Sequence, residues 1–202
     1  MIDATDTKLK KGDEPFTYEG SKLAFDVLSF WQWSSSDLLG NALRGKLAEF
    51  IVASSIDALS SLREEWDEVD VVALNGLKIE VKSSSYLQSW QQNKLSRISF
   101  GIQPTGTSQA RNEEKFRKAD IYVFCVLAHK DMSSVNPLNL EQWDFYILST
   151  SVLNEKLPEQ QTITLSSLLE LKPTCVKYDG LGAEINKRDN KPVQPTAIAA
   201  YD

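Results

Sequence analysis

The sequence predicts an α/β fold with a central mixed β-sheet flanked by helices. Three observations carry it. A helix-length run follows the cap-like segment SSSDLL at 34–39, two strand-like runs meet at Asn75-Gly76, and the unbroken apolar run DIYVFCVLA at 120–128 is followed by WDFYILST at 143–150. Helix, hairpin, strand, helix, strand and strand in that order describe a sheet covered by helices.

Taken in order, residues 1–20 are polar and predict an arm. FDVLSFWQW is a mixed segment in which Trp31 and Trp33 are expected to anchor packing. Ser36 or Asp37 can accept hydrogen bonds from free backbone amides, which predicts a helix from Asp37 to about Ser60. Residues 66–83 read as the hairpin. Residues 97–103 (RISFGIQ) read as a strand stopped by Pro104, while YLQSWQQNKL before it fits helix or loop. SQARNEEKFRKA at 108–119 reads as a short helix. The run DIYVFCVLA has the apolar continuity of a strand covered on both faces. WDFYILST is a further strand, and LNEKL and LSSLLEL are short helical pieces. The whole divides into an arm (1–20), a single α/β domain (21–187) and a Pro-containing tail (188–202).

A hydrophobic fraction of 42% and a charged fraction of 25% are ordinary for a soluble chain of 202 residues. Cys125 and Cys175 are the two cysteines; they outline neither a disulfide framework nor a zinc site. No apolar run approaches the ~20 residues of a membrane span, and the polar N-terminus does not resemble a signal peptide. The expectation is a cytoplasmic protein. Its net charge of −6 argues against a sequence-independent DNA coat but does not exclude a nucleic-acid enzyme, since only the contact surface of such an enzyme must be basic. Residues 86–118 carry Lys94, Arg97, Arg111, Lys115, Arg117 and Lys118 against Glu113 and Glu114, a net of +4 against −10 for the rest of the chain.

The hairpin is best understood by its faces. A two-residue Asn-Gly loop would place Asp70 on the face of Ile79 and Val81, burying a carboxylate among aliphatics. A three-residue loop, Leu74-Asn75-Gly76 with Gly76 in the left-handed conformation, avoids this. Val69, Val71 and Ala73 then share a face with Leu77, Ile79 and Val81. The other face carries Glu68, Asp70 and Val72 with Lys78, Glu80 and Lys82. Asp70 comes to lie across from Glu80, roughly 5 Å apart at the β-carbons. Facing carboxylates repel unless a cation lies between them. The competing account is a solvated outer face, on which Asp, Glu and Lys are common.

On the preceding helix, Leu43, Leu47, Phe50, Ile51 and Ser54 form one stripe, and Ala42, Gly45, Glu49, Val52, Ala53 and Ile56 another. The helix is therefore expected to pack on both sides. Glu49 stands out in its small or apolar stripe, and an ionised carboxylate there is costly unless paired or metal-bound. A helix-interior glycine costs roughly 1 kcal/mol against alanine, so Gly45 suggests a close approach. The alternative for Glu49 is an edge-of-core residue paired with Arg44 or Lys46.

Gly45-x-x-x-Glu49, then Asp70, then Glu80-Val81-Lys82 nine residues on, resembles the PD-(D/E)XK nuclease superfamily with its restriction-endonuclease-like core. The likeness extends over about residues 37–130, with Val69 in place of the proline. It implies Mg²⁺-dependent hydrolysis of phosphodiester bonds, usually in DNA, with Mn²⁺ as a substitute. Asp70 and Glu80 would be metal ligands with the Val81 carbonyl. Glu49 would bind the metal directly or through water, and Lys82 would position the attacking water. An oxygen-only ligand set of few carboxylates suits Mg²⁺.

Ser83 to Ser85 could donate hydrogen bonds to phosphate or simply end a strand. Lys94, Arg97, Arg111 and Lys115, with Arg117 and Lys118, could track a nucleic-acid backbone or form a solvated face. Trp90 reads as core cover rather than a base-stacking platform. His129 is isolated from other metal-binding residues, and Asp120 reads as a turn or cap residue. No P-loop, GxGxxG or GxSxG pattern occurs. The expected function is a metal-dependent DNA endonuclease; the alternative is a nuclease-like binding or assembly module that no longer cleaves. A homodimer would suit cleavage of two strands.

Overall fold

In the computed structural model, residues 8–59, 68–104, 106–107 and 115–188 are described. The N-terminal part is a hairpin of β1 (Pro15–Tyr18) and β2 (Ser21–Asp26), followed by α1 (Val27–Ser35) and α2 (Asn41–Ser55). The hairpin around Asn75-Gly76 follows as β3 (Val71–Val72) and β4 (Lys78–Ser85). Then come β5 (Ser99–Gly101), β6 (Gly106–Thr107), β7 (Lys115–Phe116) and β8 (Ile121–Leu127). The chain continues with β9 (Trp143–Ser149), α3 (Thr150–Lys156), β10 (Thr162–Thr164), α4 (Leu165–Glu170), β11 (Thr174–Val176) and α5 (Tyr178–Asn186). The central sheet is mixed, in the order β11-β9-β8-β4-β3; β4 and β8 are parallel, and the other neighbours are antiparallel.

The hairpin takes the three-residue loop. Val71 pairs with Ile79, the Ala73 N–H donates to Leu77 O at 3.0 Å, and Gly76 has φ +84°. Leucine or valine would be strained at that φ, whereas glycine has no Cβ to clash. Val71, Ala73, Leu77, Ile79 and Val81 are buried together, and Val72 is exposed on the other face. Val69 departs from the expected pattern: it belongs to the core on the opposite side of the sheet. Residues 68–70 bend rather than continue the strand, so the two-residue alternation stops there.

Two cores cover the sheet. On one side, Ile79, Val81, Val123, Cys125, Phe145 and Ile147 pack against Ala48, Ile51 and Val52 of α2 and Leu181 and Ile185 of α5. On the other, Tyr122, Phe124, Val126 and Leu148 pack with Phe100 of β5, Ile163 of β10, Leu153 of α3 and Leu168 of α4. The expectation that 120–128 is covered on both faces holds, because every residue of β8 is buried. Cys125 is free and buried and Cys175 is free and exposed.

Several local expectations need correction. Helix α2 starts at Asn41 rather than Asp37, because 37–40 form a turn in which Asp37 accepts the Gly40 N–H. It ends at Ser55: the Ala58 N–H donates to Ala53 O at 2.9 Å and Asp57 adopts φ +55°, a Schellman-type stop. It buries one side only, and Phe50 is exposed. Trp31 and Trp33 anchor nothing in the core, since α1 has no buried residue and Trp33 is 85% exposed. Trp90 is 54% exposed rather than core cover. The described end of the segment expected to be helical, Lys115–Phe116, is a strand paired with Gly106–Thr107; its remainder lies outside the described residues. Helix α5 was not expected, since Gly180 and Gly182 weaken its helical signal. Gly182 has a packing reason: a Cβ there would meet Ser55 O of α2 at 2.0 Å.

Candidate active site

Asp70 sits in the bend just before β3, whose pairing with β4 begins at Val71 and Ile79, and its Oδ2 accepts the Val81 N–H at 2.8 Å. Lys82 follows Glu80 by one side-chain step on the same face, and its Nζ lies 2.5 Å from Glu80 Oε1. Both side chains are partly accessible. Burial and the adjacent Glu80 charge raise the Asp70 carboxyl to about 6, against the lowering influence of the Val81 amide and Lys82. Glu49, on α2, adds a smaller negative contribution at Asp70. Glu49, Glu80 and Lys82 therefore all act electrostatically on Asp70, although they come from α2 and β4 and Asp70 from the bend before β3.

Gly45, one turn before Glu49, has nothing within 4 Å of a built Cβ. No packed element approaches it, contrary to expectation, and the space beside Gly45 itself is open. Arg44 does not turn toward Glu49. Its guanidinium is 3% exposed and donates to Leu39 O (2.7 Å), Asn41 Oδ1 (2.6 Å), Gln88 Oε1 (3.3 Å) and Ser83 Oγ (3.3 Å). Burial lowers its pKa. Arg44 thus ties α2 to the strand bearing Glu80 and Lys82. It shares its helix face with Ala48 and Ile51, and a lone arginine in that spacing was the available signal for this role.

Tyr122 is a second residue the sequence did not single out. It pairs with Glu80 across the parallel β4–β8 ladder and is buried. Desolvation and then the Glu80 charge push its hydroxyl up to about 12. Only the strand register brings Tyr122 beside Glu80; nothing local in IYVFCVL marks it.

The expected nucleic-acid contacts separate. Ser83 is on the α2-facing side of β4, accepting from Arg44. Lys94 and Arg97 are exposed after β4, in a segment organised by Gln92, whose amide donates to Tyr86 O (3.3 Å), Lys94 O (3.4 Å) and Ser96 Oγ (2.9 Å). Trp90 is displayed in the same segment. The backbone of Lys115 is in β7, and Arg111 lies outside the described residues. Arg117 is buried, donating to Ile102 O, Asn154 Oδ1 and Leu157 O, so it is not part of an exposed basic surface with Lys94 and Arg97. Asp120, expected as a turn or cap residue, instead accepts the Lys78 N–H at 2.8 Å and ties the start of β4 to that of β8. His129 lies 2.8 Å from Ser134 Oγ.

Among the described residues, no group of three or more His, Cys, Asp or Glu is gathered as a metal cage. The pair Asp70 and Glu80 nonetheless fits a hard divalent cation. Both are oxygen donors, and their mutual repulsion, which adds to burial in raising the Asp70 carboxyl, is an unfavourable contribution that a cation would remove. Two carboxylates are as many as Mg²⁺ commonly takes from protein. No helix among the described residues is long and apolar enough to cross a membrane.

The family model described as bacteriophage T4 endonuclease IV matches residues 27–167, from α1 through the start of α4 and across all the residues of this site. No curated protein matches the chain.

Proposed function

The chain belongs to the bacteriophage T4 endonuclease IV family, a nuclease family, and from that premise we propose that it is a metal-dependent DNA endonuclease of the PD-(D/E)XK type. The observation that carries this reading is the juxtaposition of Asp70 and Glu80 with Lys82 paired to Glu80. Asp70, Glu80 and the Val81 carbonyl would hold Mg²⁺ or Mn²⁺, with Glu49 completing the set directly or through water. A bound divalent cation supplies Lewis acidity toward the phosphate and lowers the pKa of its water. Lys82 places a compact positive charge beside the reacting phosphate and orients the attacking water. Tyr122 and Arg44 act as positioning residues, the first beside Glu80 and the second through its grip on Ser83. Lys94, Arg97 and Trp90 lie on the surface that follows β4 and would meet the substrate. Two free cysteines suit a reducing, cytoplasmic setting.

A homodimer belongs to the same proposal, because two strands of a duplex need two sites. Its surface is the N-terminal hairpin and α1, which expose Phe16, Tyr18, Phe25, Phe30, Trp31 and Trp33 and bury no side chain of α1. A two-stranded hairpin and a nine-residue helix lack a core of their own and are marginal alone. Residues 9–35 are also about the 20–30 residues that a standard interface uses on each side. A second copy presenting the same aromatic face is the occupant.

The test incubates the protein with duplex and single-stranded DNA and with RNA, with EDTA, Mg²⁺ or Mn²⁺. Metal-dependent scission of DNA that is lost in Glu80→Ala supports the reading. Binding without scission under every metal condition would overturn it in favour of a non-cleaving module. Sedimentation at micromolar concentration decides the dimer: a monomer that Trp33→Glu leaves unchanged rules it out.

A further inference from the structure

At the end of the sheet where β4 and β8 begin and β9 stops, a cavity of about 690 Å³ is lined in part by Arg117, Lys118, Thr150, Ser151, Asn154 and Arg188. Its volume is in the range of small-molecule sites. Its cations include Arg117, which has no counter-ion among the described residues. Arg117 is 6% exposed, and its three hydrogen-bond acceptors in the surrounding protein are neutral. It also reaches the Tyr122 hydroxyl. Among the described residues no carboxylate lies within ion-pair distance of it, whereas Lys118 is 3.6 Å from Glu68, and Lys187, which also lines the cavity, pairs with Glu184. A buried guanidinium without an anion is costly.

A second, independent observation comes from Thr150. It lines the same cavity, is 5% exposed, and its hydroxyl is buried without a hydrogen-bond partner among the described residues. Its backbone N–H is already used, donating to Asp120 O at 3.0 Å. A buried hydroxyl left unmatched costs roughly 1–3 kcal/mol, so such groups are ordinarily satisfied by protein, water or ligand. Asp120 is the acidic residue in the lining, and one of its oxygens is occupied by the Lys78 N–H.

We infer that this cavity is a phosphate-binding site, with Arg117 supplying the charge and Thr150, Ser151 and Asn154 the neutral donors. It is distinct from the Asp70–Glu80 pair but linked to it. Leu77 lines the cavity three residues before Glu80, roughly 10 Å along an extended strand, and Arg117 reaches the hydroxyl of Tyr122, the strand neighbour of Glu80. The phosphate comes either from a nucleic-acid strand engaged by the protein or from a free nucleotide, and both present the same tetrahedral oxyanion to the same donors.

The experiment measures binding without metal or cleavage, by calorimetry and thermal shift on the full chain. The ligands are inorganic phosphate, a nucleoside 5′-monophosphate, and a short DNA with and without a 5′-phosphate. Because Arg117→Gln removes three structural hydrogen bonds, the deciding variants are Thr150→Val and Lys118→Gln. The expected result is a phosphate-dependent rise in Tm and at least five-fold weaker binding in Thr150→Val, whose unliganded Tm is not lowered. Binding of the mononucleotide assigns a free ligand, and binding of the oligonucleotides alone assigns the strand's own phosphate; either upholds the site. Glu80→Ala should bind phosphate as the parent does, which separates this site from the proposed metal site. No binding of any phosphate ligand at millimolar concentration, or parental affinity in both Thr150→Val and Lys118→Gln, would overturn it.

Discussion

The amide of Val81 donates a hydrogen bond to Asp70 Oδ2 at 2.8 Å, holding the carboxyl of the bend before β3 against the backbone of β4 beside Glu80. That single bond partly offsets an arrangement which is otherwise electrostatically unfavourable, and the stability of the metal-free protein should report it.

Asp70 has its carboxyl raised to about 6 from an ordinary 3.8, so the folded state binds this proton more tightly than the unfolded chain. Its contribution therefore falls as pH rises between about 4 and 6 and is then constant. After discounting solvent screening, it costs roughly 1–2 kcal/mol at neutral pH. Asp70→Asn should be more stable than the parent in EDTA at pH 7.5 and show no such advantage at pH 4. Urea melts at the two pH values measure the difference, and equal stability at pH 7.5 would refute the strain.

Divalent metal should reverse that order. Mg²⁺ or Mn²⁺ is expected to raise the parent Tm, and Glu80→Ala should abolish the shift. Lys82→Ala should keep the shift and lose about 10²–10³-fold in cleavage, the magnitude typical of removing one charge-stabilising group. Loss of the metal shift in Lys82→Ala would mean that the lysine orders the carboxylates rather than the reaction.

Gly45 and Gly182 make a matched pair of helix glycines. A methyl group at Gly45 meets open space, so Gly45→Ala should stabilise by about 0.5–1 kcal/mol. At Gly182 the same change collides with Ser55 O, and Gly182→Ala should destabilise by at least 2 kcal/mol. Chemical denaturation separates the two. If Gly45→Ala is stable but cleaves poorly, the open space at Gly45, one turn before Glu49, is used by substrate.

Trp90→Ala should leave Tm within about 1 kcal/mol equivalent, since the ring is half exposed, and should weaken nucleic-acid binding by roughly 1–3 kcal/mol. Fluorescence anisotropy with labelled DNA checks this. Unchanged affinity would remove Trp90 from the contact surface.

The sequence by itself determined the hairpin. Counting which residues could share a face forced a three-residue loop, and Gly76 at φ +84° with Ala73 bonded to Leu77 is that loop. The alternation that this loop sets holds from Val71 onward and stops at the bend of 68–70, so the bond from the Val81 amide to Asp70, rather than the two-residue period, ties that carboxyl to β4; β8 was legible because seven consecutive apolar residues leave no other pattern. The loop and β8 are local consequences of the side-chain pattern. What lay beyond local rules was decided by tertiary structure. Tyr122 reaches Glu80 only through a parallel register between strands some forty residues apart, and Arg44 leaves Glu49 for Ser83 only because α2 packs across β4. Helix α5 exists despite its glycines because Gly182 permits contact with Ser55, a gain that no propensity contains. Trp33 and Trp90, whose size suggested core, are exposed because burial depends on which elements meet a side chain, not on the side chain alone.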